Sequence, residues 1–258
     1  MPIGFPPPWP DRPWVFAVMV ASANGVVAWR RRDPRDDPVL AILGGDRSHP
    51  ARIADKRLMR FLRCFGDVAV GAETVRVQPE LLLSPQQPSD EPSAELFAFR
   101  AEAGLPRQPR NIVYSLYGRL PLGHRIFTTP GVEPLVVTTA AGAAELEWRA
   151  QPASPPPTLV EDLVVPDGLR RAHARLFAEH RVRYLDCEGG QTVLTALRGV
   201  GLLDEVFLTV TPFVVDVSAH DGVMRTFDFE AEGATLIAEG RTAADERWRF
   251  QRWRFNAR

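Results

Sequence analysis

The chain has 258 residues, 45% of them hydrophobic and 24% charged, with 31 basic against 32 acidic side chains and a formal net charge of −1. That length buries a sizeable core, most simply as one domain, and the balanced charge excludes long-range attraction to nucleic acid or an anionic membrane, so phosphate recognition must be local. Cys64 and Cys187 are the only cysteines, which suits a cytoplasmic protein with reduced, buried thiols better than a disulfide scaffold.

Residues 1–11 form a proline-rich arm with neither a basic n-region nor an apolar h-region, so no secretory signal is expected, and residues 12–258 read as a single domain. No apolar run approaches the roughly 20 residues that cross a bilayer, and no membrane partner is expected. Trp14–Ala21 is a continuous apolar run of strand length, and Ser22-Ala23-Asn24-Gly25 supplies a turn before a second apolar stretch at Val26–Trp29. Arg30–Arg32 with Asp33, Asp36 and Asp37 reads as a solvated connection. Between Ala51 and Phe65 the positions Ala54, Leu58, Phe61, Leu62 and Phe65 follow helical spacing and predict a helix. Asp67–Gly71 reads as a short buried strand that runs into the turn Gly71-Ala72-Glu73-Thr74-Val75-Arg76. Residues 84–110, rich in Pro, Gln, Ser and Glu, form a long surface excursion with one helical turn around Ala94–Ala101.

Strands are expected at Asn111–Leu116, at Pro134–Thr139 and, beyond the Pro155–Pro157 break, at Thr158–Val165. A helix through Leu169, Ala172, Leu176, Phe177 and His180 leads into a strand at Val182–Cys187, and helical spacing returns at Val193, Leu194, Leu197 and Val200. Glu205–Val215, Thr235–Ala238 and Glu246–Phe255 are strands without helices between them, which implies hairpins at one sheet edge. The alternation from Arg247 to Phe255 is that of a half-buried strand with a bulge near Gln251, not of a surface for stacking nucleic-acid bases. The whole pattern is α/β with a mixed sheet.

The densest chemical signal is Tyr184-Leu185-Asp186-Cys187-Glu188-Gly189-Gly190-Gln191-Thr192, a strand, a glycine turn and a helix start in succession. Two adjacent residues without Cβ let a ligand approach the backbone, and the opening N–H groups and dipole of the following helix favour an anion. Glu188 stands at the strand's carboxyl end beside that position. The same residues are also compatible with a plain turn and a solvated carboxylate. His49, His124, His173, His180 and His220 show no ligand spacing with cysteine or one another, the zinc-deaminase pair H-x-E and P-C-x-x-C is absent, and no metal is expected. Lys56 is the sole lysine, which argues against Schiff-base chemistry.

Arg12-Pro13-Trp14 with Val20-Ala21-Ser22-Ala23-Asn24-Gly25, the helix from Ala54 to Arg63, Gly71-Ala72-Glu73-Thr74-Val75-Arg76, and Cys187-Glu188-Gly189-Gly190 followed by Leu203-Asp204-Glu205 occur in one order. Together they resemble the pyrimidine reductase of riboflavin biosynthesis, the RibD C-terminal domain family, from about Arg12 to about Phe255. The resemblance implies a dihydrofolate-reductase-like fold, with a mixed, mostly parallel central sheet flanked by helices and C-terminal antiparallel strands. It further implies NADPH as hydride donor and a ribosylaminopyrimidine 5′-phosphate, of the 5-amino-6-(5-phosphoribosylamino)uracil type, reduced at the ribosyl C1′. By the same resemblance Thr74, Gly189, Gly190, Gln191, Thr192 and Val193 contact the cofactor, Arg63 and Glu188 contact substrate, and Ser48 lies near the family's substrate serine. Relatives of this kind are commonly homodimers. No general acid for the imine nitrogen stands out.

The chain departs from the family pattern at Asn24, where an Asp is usual, at Gln78, where an acidic residue is usual, and after Thr211-Pro212. There Phe213-Val214-Val215-Asp216-Val217-Ser218 replaces a glycine-rich L-x-G-G-G loop, adding side chains and a negative charge that would repel a substrate phosphate. A catalytically impaired NADPH-binding homologue with a binding or regulatory role therefore stays open. So does dihydrofolate reductase, whose opening Ala23-Asn24-Gly25-Val26-Val27 also resembles, although Glu188 before the glycine pair and the missing W-x-x-P-x-D region point away from it.

Overall fold

The computed structural model describes residues 4–33, 36–86 and 93–256; residues 1–3 of the proline-rich arm, 34–35 of the charged connection, 87–92 of the long excursion and 257–258 lie outside that set. In chain order the described residues form β1 (Trp14–Ala21), β2 (Val26–Ala28), α1 (Pro38–Ile42), α2 (Pro50–Leu62), β3 (Asp67–Gly71), α3 (Ala72–Val77), α4 (Ala94–Glu102), β4 (Asn111–Ser115), α5 (Arg125–Thr128), β5 (Pro134–Thr138), α6 (Ala140–Ala150), β6 (Thr158–Val160), α7 (Pro166–Ala178), β7 (Tyr184–Cys187), α8 (Gln191–Gly199), β8 (Glu205–Val210), β9 (Met224–Arg225), β10 (Ala234–Thr242) and β11 (Asp245–Phe255). They group into two compact units, one made by the chain up to Val15 with Arg60–Leu202, the other by Phe16–Met59 with the chain from Leu203 onward.

The first unit holds five parallel strands in the order β7-β3-β4-β5-β6. Both faces of such a sheet are covered, which is why its strands read as unbroken apolar runs. Val68, Val70, Val113 and Val136 pack with Val75, Leu83, Ile126 and Leu146 in its core, each contributing about 1.5–3 kcal/mol by leaving water. The register aligns the strands' carboxyl ends, with Ala69 opposite Cys187, Gly71 opposite Tyr114, Ser115 opposite Thr138, and Thr138 opposite Val160. The proline-rich arm is docked: Phe5 is buried against Phe65 and Tyr184, and the Tyr184 hydroxyl donates to the Pro6 carbonyl at 3.0 Å.

In the second unit β1 runs parallel to β8, β8 antiparallel to β11, and β11 antiparallel to β10. Glu205 is fully buried and takes both Arg252 and Arg254 from β11, at 2.7 and 2.6 Å. The arginines of the C-terminal alternation therefore satisfy the acidic residue that closes the Leu203-Asp204-Glu205 motif. The strands are mostly parallel with antiparallel ones at the C-terminal end, the α/β class expected.

Local expectations need correction at several points. The strand after the Pro155–Pro157 break ends at Val160, not Val165, because the chain turns there to start α7 at Pro166. β8 ends at Val210, not Val215, where Thr211-Pro212 withdraws a ladder donor. Residues after Gly71 form the short helix α3 rather than a bare turn, and α4 runs nine residues rather than one turn. Gln251 keeps register with Leu208 and Glu239, so no bulge sits there; the irregularities fall between Leu236 and Ala238 and between Arg241 and Thr242 of β10.

Candidate functional site

At the carboxyl end of β7 the chain passes through Glu188 and Gly189 to Gly190, which is the N-cap of α8. The Glu188 N–H donates to the Ala69 carbonyl at 2.9 Å and the Gly71 N–H donates to the Gly189 carbonyl at 2.6 Å, so the glycine turn is laced to the end of β3. Gly189 has φ +93°, a region that L side chains rarely adopt. A Cβ on Gly71 would lie 3.0 Å from Val193 Cγ2 and 3.7 Å from the Gly190 nitrogen, whereas one on Gly190 would meet only Thr74 Oγ1, at 3.9 Å. Gly190 is exposed, and no side chain caps α8. Thr74, Gly189, Gly190 and Val193 are thus brought together around an open helix start, with Gln191 and Thr192 forming its first turn.

Arg63 and Glu188 meet in a bidentate ion pair, Nε to Oε1 and Nη2 to Oε2, the latter at 2.6 Å. Arg63 Nη1 donates to the Ser84 carbonyl at 2.9 Å and the Leu82 carbonyl at 3.4 Å, and the residue is 1% exposed. All three of its nitrogens donate to protein oxygens, and two of them fix the Glu188 carboxyl. Glu188 keeps a partly exposed edge. Two residues earlier, within β7, Asp186 is fully buried and neither carboxyl oxygen has a hydrogen-bond partner. Burial first, and then the Glu188 charge, push its carboxyl well above the ordinary range, against a smaller opposing pull from Arg63.

Ser48 belongs to the second unit, where its hydroxyl and its N–H both go to Asp46 Oδ1, at 2.7 and 2.8 Å. The departures at Asn24 and after Pro212 are linked there. Asn24 Nδ2 donates to the Val215 carbonyl at 2.9 Å, and Asn24 Oδ1 accepts from the Val215 N–H at 3.2 Å and from the Ser22 hydroxyl at 2.7 Å. An Asp at 24 has no N–H to give. Val215 is buried against Val26, Trp29 and Ile42, Phe213 sits edge-on to Trp248, and Asp216 accepts from the Ser218 N–H and hydroxyl. Within this unit the replaced loop therefore buries Val215, while Phe213, though it touches Trp248, stays exposed.

The remaining titratable groups sort by burial. The Cys64 and Cys187 thiols are pushed up to about 11 and about 12, chiefly by burial, so neither is a ready nucleophile. His173 is driven down to about 3 by burial and shares a 2.9 Å hydrogen bond with the Tyr114 hydroxyl inside the core. His124 caps α5. In the second unit Asp55 of α2 is half-buried beside the Thr209 hydroxyl and Arg52, and burial raises its carboxyl to about 6.

Sequence reading missed Asp186 and Asp55, since neither sits in a motif. It also missed an open hollow of about 680 Å³ beyond the carboxyl ends of β4, β5 and β6, lined in part by Leu116, Tyr117, Thr139, Val160 and Val164. Its one advance signal was an aromatic residue just past a strand end, at Tyr117, which is 68% exposed.

The sequence model of the RibD C-terminal domain family matches residues 13–222. None of the curated proteins matches the sequence. Among solved structures, a pyrimidine reductase-like protein from Corynebacterium diphtheriae superposes with a TM-score of 0.64 at 18% identity, covering 96% of this chain and 94% of that one. RibD from Acinetobacter baumannii gives 0.64 at 18% identity over 96% of this chain, which spans only 59% of the RibD chain. A riboflavin biosynthesis reductase from Saccharomyces cerevisiae gives 0.58 at 14% identity, covering 95% and 91%. At these identities the likeness shows a shared fold.

Proposed function

The chain belongs to the RibD C-terminal domain family, the reductases of riboflavin biosynthesis, and from that premise we propose that it reduces a ribosylaminopyrimidine phosphate with NADPH. The observation that carries the reading is the open Gly189-Gly190 turn at an uncapped helix start, with Thr74 on one side and a locked Glu188 on the other. The backbone at Gly190 lets a phosphate approach closely, because apart from its chain neighbours only the Thr74 hydroxyl comes within 4 Å of where a Cβ would be. The cofactor supplies the hydride. Thr74 and the first turn of α8 hold its phosphates. The hollow at β4–β6 begins two strands from β7, about 10 Å along the sheet at ~4.8 Å per strand, a distance suited to the far nucleoside of a dinucleotide. Exposed Tyr117 offers a ring face to its base.

Glu188 accepts hydrogen bonds from substrate hydroxyl or amino groups, and Arg63 holds that carboxylate at a fixed angle so that no reorganisation is needed when substrate arrives. This replaces the direct substrate contact expected of Arg63. Ser48 retains a substrate role only if it exchanges Asp46 for the ligand. We place the reaction in the cytoplasm, where two free buried thiols stay reduced, and assign a homodimer, for which the exposed edge strand β10 offers a pairing surface.

A second reading, cofactor binding with little turnover, draws support from the exposed Asp216 in the replaced loop, whose carboxyl is held below its ordinary range by Ser218. Single-turnover reduction with NADPH deuterated at C4 separates the two. Deuterium at C1′ of a ribityl product supports the reductase, whereas tight NADPH binding with no label transfer supports the second reading.

A further inference from the structure

The hollow beyond β4, β5 and β6 has one cation among its described lining residues, Arg171 of α7. Arg171 Nε donates to Glu161 Oε2 at 3.0 Å, and among the described residues neither Nη1 nor Nη2 has a partner. Glu161 directly follows β6, so this bond anchors the guanidinium at that edge of the hollow and leaves its two outer nitrogens open. The other Glu161 oxygen takes Arg175 Nη1 at 3.3 Å, so both oxygens of that carboxylate are committed to arginines. Tyr117 and Val164 add apolar surface to the same hollow, at 68% and 75% exposure. An exposed aromatic ring beside an anchored guanidinium with two open donors suits a phosphorylated nucleoside, the ring taking the base and the fork taking a phosphate.

We propose that Arg171 holds the ribose 2′-phosphate of the dinucleotide and so makes this chain select NADPH over NADH. The proposal rests on the cofactor reading above, in which the pyrophosphate lies at Gly190 and the far nucleoside in this hollow. NADH differs from NADPH only in lacking that phosphate, so the discriminating group must act on it. Thr139 also lines the hollow, but its hydroxyl donates to the Leu116 carbonyl and has no proton left to give. β6 lies four strands from β7, about 19 Å at ~4.8 Å per strand, and the length of the arginine side chain shortens the span that the nucleotide covers. Asp162 opposes the phosphate from the same lining; it is exposed, and its Oδ1 accepts the Val164 N–H at 3.3 Å. Water and salt screen a carboxylate in that position, whereas the guanidinium meets the phosphate by direct charged hydrogen bonds, so Arg171 decides the sign.

Titration calorimetry on the full chain compares NADPH with NADH, and 2′,5′-ADP with 5′-AMP as fragments that carry and lack the same phosphate. Arg171→Ala should weaken NADPH and 2′,5′-ADP by about tenfold or more and leave NADH and 5′-AMP within about threefold. Arg171→Lys should restore part of the loss, and Asp162→Asn should tighten NADPH without tightening NADH. Tyr117→Ala should weaken both dinucleotides alike, since they share the base. A thermal melt within a few degrees of the parent is expected for Arg171→Ala, because Glu161 keeps Arg175. If Arg171→Ala weakens NADPH and NADH equally, or weakens neither, the assignment is overturned. A wild-type chain that binds both dinucleotides with equal affinity refutes the role of Arg171 and leaves the cofactor reading standing. One that binds neither defeats the cofactor reading, and the proposal with it.

Discussion

Replacing Gly190 tests the cofactor site where the structure is most specific about cost. Its backbone lies at φ −60° and ψ 174°, which any residue adopts, and an added Cβ would meet only Thr74 Oγ1 at 3.9 Å. Gly190→Ala therefore carries little steric penalty in the free protein; the smaller loss of unfolded-chain entropy is worth about 0.4–1 kcal/mol in its favour, set against a poorer helix cap of about the same size. A ligand pressed against that backbone feels the full volume of the methyl group, and Gly190→Val adds two more carbons. The valine variant should weaken NADPH binding at least tenfold, about 1.4 kcal/mol, with a melting temperature within a few degrees of the parent. Titration calorimetry reads the affinity and a thermal melt reads the fold. Gly189→Ala, by contrast, forces a Cβ residue to φ +93° and should destabilise the fold by about 1–3 kcal/mol. Unchanged NADPH affinity in Gly190→Val would refute the placement of the phosphates.

Arg63→Ala leaves Glu188 without its partner and two carbonyls without a donor, so denaturant unfolding should show a loss of about 3–5 kcal/mol; a loss under 1 kcal/mol would contradict the locked-pair geometry. Asp55 binds its proton more tightly when folded, at about 6 against an ordinary 3.8, so its contribution is complete below the unfolded value and is lost as pH rises through about 6. Asp55→Asn should accordingly be more stable than the parent at pH 8, by at most about 3 kcal/mol and less to the extent that water reaches the group, with the difference vanishing below about pH 4; equal stability at pH 8 would refute the shift. Asn24→Asp removes the donor to the Val215 carbonyl and should cost about 1–3 kcal/mol, together with faster amide exchange at Val215. Unaltered exchange there would show that Asn24 does not pin the replaced loop.

The parallel strands were legible because each buried strand writes an unbroken apolar run, as at Asp67–Gly71 and Pro134–Thr138. The glycine turn was legible for the same local reason, since a strand, Gly-Gly and a helix start share one stretch of chain. α6 was not: Ala140-Ala141-Gly142-Ala143-Ala144 offers no apolar contrast for a period to appear in, and its cap Thr139 reads as the end of a strand. Arg63 was legible as a residue, but sequence shows a guanidinium and not the carbonyls of Leu82 and Ser84 that it donates to. Those partners come from 19 and 21 residues away. Asp186 was passed over because nothing in Tyr184-Leu185-Asp186-Cys187 tells which side chain the fold will bury without a partner. The link between Asn24 and Val215 spans 191 residues, so two departures that look independent along the chain are one hydrogen-bonded unit in space.

Steady-state kinetics on 5-amino-6-(5-phosphoribosylamino)uracil with NADPH, followed anaerobically beside dihydrofolate, test the central claim most directly. The account predicts NADPH oxidation matched by ribityl product, with kcat/KM in the ordinary enzyme range of about 10⁴–10⁸ M⁻¹s⁻¹ and none with dihydrofolate. NADPH that binds but is not oxidised by the pyrimidine, or is oxidised only by dihydrofolate, would contradict it.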